Sequence, residues 1–227
     1  MAIQLYLGIL RDAAKHKLVV NFHGNTLPRG WSRTWPNLLT SEAIRGAEAY
    51  RFAADYPDYA ATYNTMAAAI RTVVGPSDFT PATFSNQRYA RKTTAAHEMA
   101  LTVVYETGLL HLADTPESYL SLPPEAIEWF RNVPVTWDET RLLTALPGDH
   151  FVIARRNGEN WYIAGINGTN GPRELNFNLP ESLINTVLFA DGTSLNDLTI
   201  SQAEETLTNF ALTMQPNGGF LMFGKSQ

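Results

Sequence analysis

Two glutamates six residues apart, Glu42 and Glu48, stand downstream of His23 in the segment NFHGNTLPRGWSRTWPNLLTSEAIRGAE. Carboxylates gathered in this way can hold a hard cation through oxygen, or act as general acid toward a glycosidic bond. On one continuous helix six residues turn through about 600°, which leaves the two side chains about 120° apart. Convergence therefore needs a break in the helix or a mouth that both can reach; otherwise they are solvated helix glutamates. His23 follows an apolar run and precedes Gly24, a place from which an imidazole binds a ligand or satisfies local structure. Between them lie Arg29, Trp31, Arg33 and Trp35, whose flat rings and forked donors suit a sugar and equally suit an aromatic lid packed on the protein. Asp78 in GPSDFTP reads first as a turn cap and second as a group lining the same mouth. His97 and Glu98 begin like a zinc helix, but HEMAL carries Leu101 where the second histidine is required. The sequence shows no nucleophile elbow, phosphate-binding loop or dinucleotide fingerprint.

The elements that must position these residues change character along the chain. Apolar positions within Ile3 to His16 fall on one helical face, and Leu18 to Phe22 reads as a strand covered on both sides, as parallel strands are. Ser41 is placed to cap a helix from Glu42 to Phe52. Further helices are expected from about Tyr63, from Lys92 to Tyr105 and from Pro124 to Asn132, with short strands at Thr72 to Val74 and Leu109 to Leu112. This alternation marks a parallel sheet or barrel, whose strand C-termini carry the chemistry. The chain opens on a helix with no strand before it, so more sequence is expected upstream. From about Asp138 the texture becomes β-rich: Phe151 to Arg155 and Trp161 to Ile166 flank an Asn-Gly turn, the signal of a hairpin. Leu175 to Leu179, Thr186 to Phe189, Leu198 to Ile200 and Gly219 to Phe223 continue it. The expected fold is α/β over residues 1–137 followed by an antiparallel β-sandwich over residues 138–227.

Composition narrows the function classes. With 227 residues, 44% of them hydrophobic, the chain can bury a substantial core. A net charge of -5 without runs of Lys or Arg gives no electrostatic footprint for nucleic acid. No run of 18 apolar residues points to a membrane, and the absence of cysteine leaves the compartment undetermined.

Taken together, VNFHGNTLPRGWSRTWPNLLTSEAIRGAE, VVGPSDFTP, VVYETGLLHLADTPESY, VPVTWDETRLL and HFVIARRNGENWYIAGING resemble glycoside hydrolase family 97, in the family's order and across nearly the whole chain. The resemblance implies a partial (β/α)8 TIM barrel, the C-terminal part of the catalytic barrel, followed by the family's C-terminal β domain. It implies an α-glucosidase or α-galactosidase acting on α-linked oligosaccharides or glycosides with Ca2+. Glu48 then matches the acid/base, Glu42 with Glu48 the metal ligands, and His23, Arg33 and Trp35 substrate contacts. Gly24 after the histidine places the chain with the family's retaining members, whose Asp nucleophile would lie before Met1, so the chain alone is expected to be inactive. The alternative is a non-catalytic carbohydrate-binding or oligomerisation module, with homo-oligomers formed through the C-terminal domain or an exposed barrel edge. A periplasmic or secreted location follows for the parent family only.

Overall fold

The computed structural model describes residues 2–85 and 88–227. Helix α1 (Ala2–Lys15) is amphipathic, and it leads into strand β1 (Val20–Phe22), which pairs in parallel with β2 (Leu38–Ser41). Helices α2 (Tyr56–Ile70), α3 (Ala95–Val104), α4 (Pro116–Leu120) and α5 (Pro124–Asn132) follow. Thr94 caps α3 by accepting the His97 N–H at 3.1 Å, and all ten residues of α3 are buried, the polar His97, Glu98 and Thr102 among them.

The second half is one seven-stranded sheet in which every pairing is antiparallel, ordered β3 (Glu139–Leu146), β4 (His150–Asn157), β5 (Asn160–Asn167), β9 (Gly219–Ser226), β6 (Arg173–Asp191) and β7 (Leu198–Ala203). β8 (Leu207–Met214) pairs with the first part of β6. The 19-residue β6 takes β8 along its first part and β9 and β7 along its second, which curls the sheet over itself. Successive residues alternate between two cores, as the pleat requires. Phe151, Ile153, Ala164, Ile166, Phe189 and Leu221 face the helices, whereas Val152, Ala154, Trp161, Ile163, Phe220 and Met222 are enclosed by the curl with Leu175, Phe210 and Met214. The expected two-sheet sandwich is thus a single hydrogen-bonded sheet with a sandwich-like interior. The runs at Leu175 and Thr186 belong to one strand.

Three expected elements in the first half differ. No helix spans Glu42 to Phe52: pairing with β1 holds Leu38–Ser41 extended, Ala43 is left-handed at φ 41°, and only a short 3-10 turn forms at Ala47–Arg51. Thr72–Val74 is a 3-10 turn continuing α2, with Val73 exposed. Leu109 to Leu112 forms no ladder, because the His111 N–H donates to the Asp78 carboxylate at 3.3 Å instead of a strand. The core beneath the helices runs without interruption from Ala47 and Tyr105 into β4, β5 and β9, so residues 1–137 and 138–227 share it.

Candidate active site

The parallel register sets Phe22 beside Ser41, and the next residues of both strands meet immediately beyond. The Glu42 N–H donates to the Phe22 carbonyl at 2.7 Å, and the Gly24 N–H donates to the Glu42 carboxylate at 2.6 Å. Gly24 has φ 60°, the left-handed region that glycine enters without the Cβ penalty. Beneath this junction the buried Arg71 guanidinium donates to the carbonyls of Ser41, Glu42, Gly75 and Pro76 at 2.9 to 3.3 Å. The Glu42 carbonyl also accepts from Ser77 Oγ at 3.1 Å, so the junction is held by two side chains from the segment behind it.

Glu48 arrives from the other direction. Gly46 packs so closely that a Cβ there would lie 2.2 Å from the Phe79 carbonyl oxygen, and the Ala47 N–H donates to that oxygen at 3.0 Å. Phe79 is itself fixed by stacking on Tyr105 at 4.2 Å. The turn that follows carries Glu48 to Glu42 and His23, so one polar atom of each lies within 4.8 Å of the others. Burial first, and then the neighbouring Glu42 carboxylate, hold the Glu48 carboxyl above the usual glutamate range. Proximity to His23 acts in the opposite sense.

A second cluster adjoins the first through His23. Asp78 is fully buried, not a surface turn cap, and its Oδ2 accepts from Asn21 Nδ2 at 2.6 Å, His23 Nε2 at 2.8 Å and His111 Nδ1 at 2.5 Å. Burial alone would raise its carboxyl; the hydrogen bonds from His111, His23 and Asn21 outweigh it and hold the group below the usual aspartate range. The other ring nitrogen of His23 stands 3.7 Å from Glu42. Above both clusters opens a cleft of about 420 Å3 lined by His23, Glu48, Arg51, Thr80 and His111 to Asp114.

Of the residues singled out in the sequence, His23, Glu42 and Glu48 converge. Arg33 and Trp35 do not line the cleft, and the neighbouring Trp31 ring packs 5.2 Å from Tyr6 of α1, as an aromatic lid on the protein. His97 and Glu98 spend their polar atoms inward: His97 lies 3.0 Å from the Asn64 amide and 3.1 Å from the Gly218 carbonyl, and Glu98 accepts from Thr93 and Thr83. Sequence reading missed His111, Asn21, Arg51 and Thr80. The one signal for His111 was its place in an apolar run ending at Asp114, read as a strand and given no chemistry. A larger groove of about 510 Å3 between α5 and the sheet is floored by Trp129, Tyr162 and Phe223. Its charged liners, Glu125 and Glu128, are exposed on α5 and do not gather into a cluster, whereas the smaller cleft brings carboxylates and imidazoles together.

Known proteins resemble this chain in both halves. The profile described as Glycoside hydrolase 97 matches residues 1–44, and that described as Glycosyl-hydrolase 97 C-terminal, oligomerisation, matches residues 136–223. A probable retaining alpha-galactosidase of Streptomyces bingchenggensis is 39% identical over 163 residues, 72% of this chain and 24% of that protein. The retaining alpha-galactosidase of Bacteroides thetaiotaomicron is 34% identical over 67% of this chain and 24% of its own length. A solved beta-arabinopyranosidase structure superimposes with a TM-score of 0.88 at 33% identity, over 96% of this chain and 36% of that one. The chain spans about a quarter of the length of these curated relatives.

Proposed function

The chain belongs to glycoside hydrolase family 97, and on that premise we propose that it supplies the acid/base half of a retaining α-galactosidase site. The observation that carries this reading is Glu48, poised over a cleft beyond the ends of two parallel strands with its carboxyl held above the usual range. A carboxyl group so placed can remain protonated long enough to protonate a leaving-group oxygen, then act as base toward water in the second step. Retention needs a second carboxylate about 5–5.5 Å away as nucleophile, which we assign to an earlier segment of a longer protein whose (β/α)8 barrel has residues 1–137 as its C-terminal part. Residues 138–227 form the C-terminal β domain in this reading and provide a surface for association between copies.

The donor set fits a hard cation in part. Glu42 and Glu48 offer carboxylate oxygens, which suit Ca2+, whereas the imidazole of His23 is better matched to a sugar hydroxyl. Glu42 and Glu48 would hold the ion, with its remaining ligands drawn from water and from the rest of the site. When bound, Ca2+ would supply fixed positive charge beside the sugar.

Galactosides are preferred over glucosides in this reading because two curated relatives are a retaining alpha-galactosidase and a probable one. The likeness to a beta-arabinopyranosidase favours a second reading, a pentopyranoside lacking the hydroxymethyl group of a galactoside. In a full-length enzyme carrying this segment, aryl α-galactosides should be cleaved with the α anomer formed first, as seen by proton NMR of early product. Glu48→Gln should cost at least tenfold more on a natural galactoside than on an aryl one, since activated leaving groups need little protonation. Equal losses on both substrates would remove Glu48 as acid, and faster cleavage of the aryl β-arabinopyranoside would favour the second reading.

A further inference from the structure

Asp78 gathers three side-chain donors on one buried carboxylate oxygen, and one of them, His111, stands half exposed in the wall of the cleft. The hydrogen-bond roles follow from the partners. Asn21 turns its Nδ2 toward Asp78, because its amide oxygen would face a carboxylate, and the His111 backbone N–H donates to the other oxygen at 3.3 Å. Surrounded by donors, Asp78 acts as acceptor only, so His111 must present Nδ1–H to it. A neutral imidazole that carries its proton on Nδ1 has a bare Nε2, and the Nε2 of His111 has no hydrogen-bond partner among the described residues. We propose that Asp78 is a positioning residue that locks His111 in the Nδ1–H tautomer, making its Nε2 the acceptor for a hydroxyl of the sugar in the cleft.

The inference deepens the carbohydrate reading above and rests on it. His23, Asp78 and His111 also lie within metal-ligating reach of one another. The Asn21 amide, however, occupies the same carboxylate oxygen and can only donate there, which marks the cluster as filled by N–H donors. The arrangement also complements Glu48. A proton donor and a proton acceptor face one cleft from separate chain segments, which orients a ring bearing several hydroxyls more tightly than either alone.

The tautomer can be read without any sugar. With 15N-labelled histidine at about pH 8.5, well above an unperturbed imidazole, His111 should show a protonated Nδ1 and a bare Nε2. Asp78→Asn, which brings an amide donor to the same place, should move the population toward Nε2–H. An Nε2–H tautomer in the unaltered chain overturns the proposal, and that measurement stands even if Asp78→Asn fails to fold. Methyl α-galactoside titrated into the labelled chain should then shift the His111 Nε2 resonance, and His111→Phe should weaken binding about five- to tenfold, the loss of one net hydrogen bond. In uniformly 15N-labelled chain, shifts of the Glu48 and Thr80 amides without one at His111 Nε2 would sink this inference while sparing the carbohydrate reading. No shift anywhere in the cleft would sink both.

Discussion

A glutamate can serve as acid near neutral pH only where its surroundings oppose ionisation, and at Glu48 burial is the larger cause and the Glu42 carboxylate the next. The two causes can be separated by mutation. In metal-free buffer, the side-chain carboxyl carbon of Glu48 should titrate above the ordinary glutamate range. Glu42→Gln removes a negative neighbour and should move that titration down, so that Glu48 loses its proton at lower pH, while the contribution of burial remains. A 13C titration of Glu48 that is identical in both proteins would show that the carboxylates do not act on one another. The same logic explains why Asp78 moves the opposite way although it is more deeply buried. Its neighbours are N–H donors, and donors to an ionised oxygen favour the charged form.

At the level of elements, α3 carries a group that makes folding sensitive to acid. It packs on β5 and β9, fully buried, and His97 at its first turn donates Nδ1–H to the Gly218 carbonyl and accepts from the Asn64 amide at Nε2. Burial, the largest cause, depresses this imidazole from 6.5 to about 4. The unfolded chain therefore binds a proton that the folded chain refuses. Stability from this group is fully present above pH 6.5 and is lost as pH falls toward 4, by about 3 kcal/mol in all. His97→Gln can offer a donor and an acceptor without titrating. Urea midpoints measured at several pH values across that window should fall less steeply for the variant than for the unaltered chain. Parallel pH dependence in the two proteins would assign the acid sensitivity to other groups.

For the whole molecule, the shared core bears on whether residues 138–227 can fold alone. Phe151, Ile153, Ala164, Ile166, Phe189 and Leu221 form one side of a core whose other side is α2, α3 and α5. Cutting at residue 137 would expose that face. The isolated C-terminal piece should self-associate or unfold at a markedly lower temperature, visible by light scattering and thermal denaturation; a monomer as stable as the full chain would refute this. The weak edge lies elsewhere. Leu5, Leu18, Val19 and Leu27 are more than half exposed along α1 and the approach to and exit from β1, where a preceding barrel strand would sit in the proposed complete enzyme. Limited proteolysis should accordingly trim within residues 1–30 first and leave a fragment that still contains α2 and α3.

The sequence by itself determined what depends on local periodicity and turn chemistry. It specified amphipathic α1, the Pro-started α5, the β4–β5 hairpin with its Asn-Gly turn, and the identity of His23, Glu42 and Glu48 as the residues to watch. It misread Glu42 to Phe52 as a helix because the strand preceding it is held by β1, and the turn carrying Glu48 is fixed by close approach to Phe79, neither of which leaves a local signal. Tertiary structure alone decided that two glutamates unsuited to convergence on a helix meet beyond a parallel strand pair. It alone brought Asn21, Asp78 and His111 together from segments 57 and 33 residues apart. It also curled seven strands into one sheet, because β6 is long enough to pair with β8 at one end and with β9 and β7 at the other. Contacts of that span are set by which buried faces can be covered at once, and a linear pattern records the faces but not their partners.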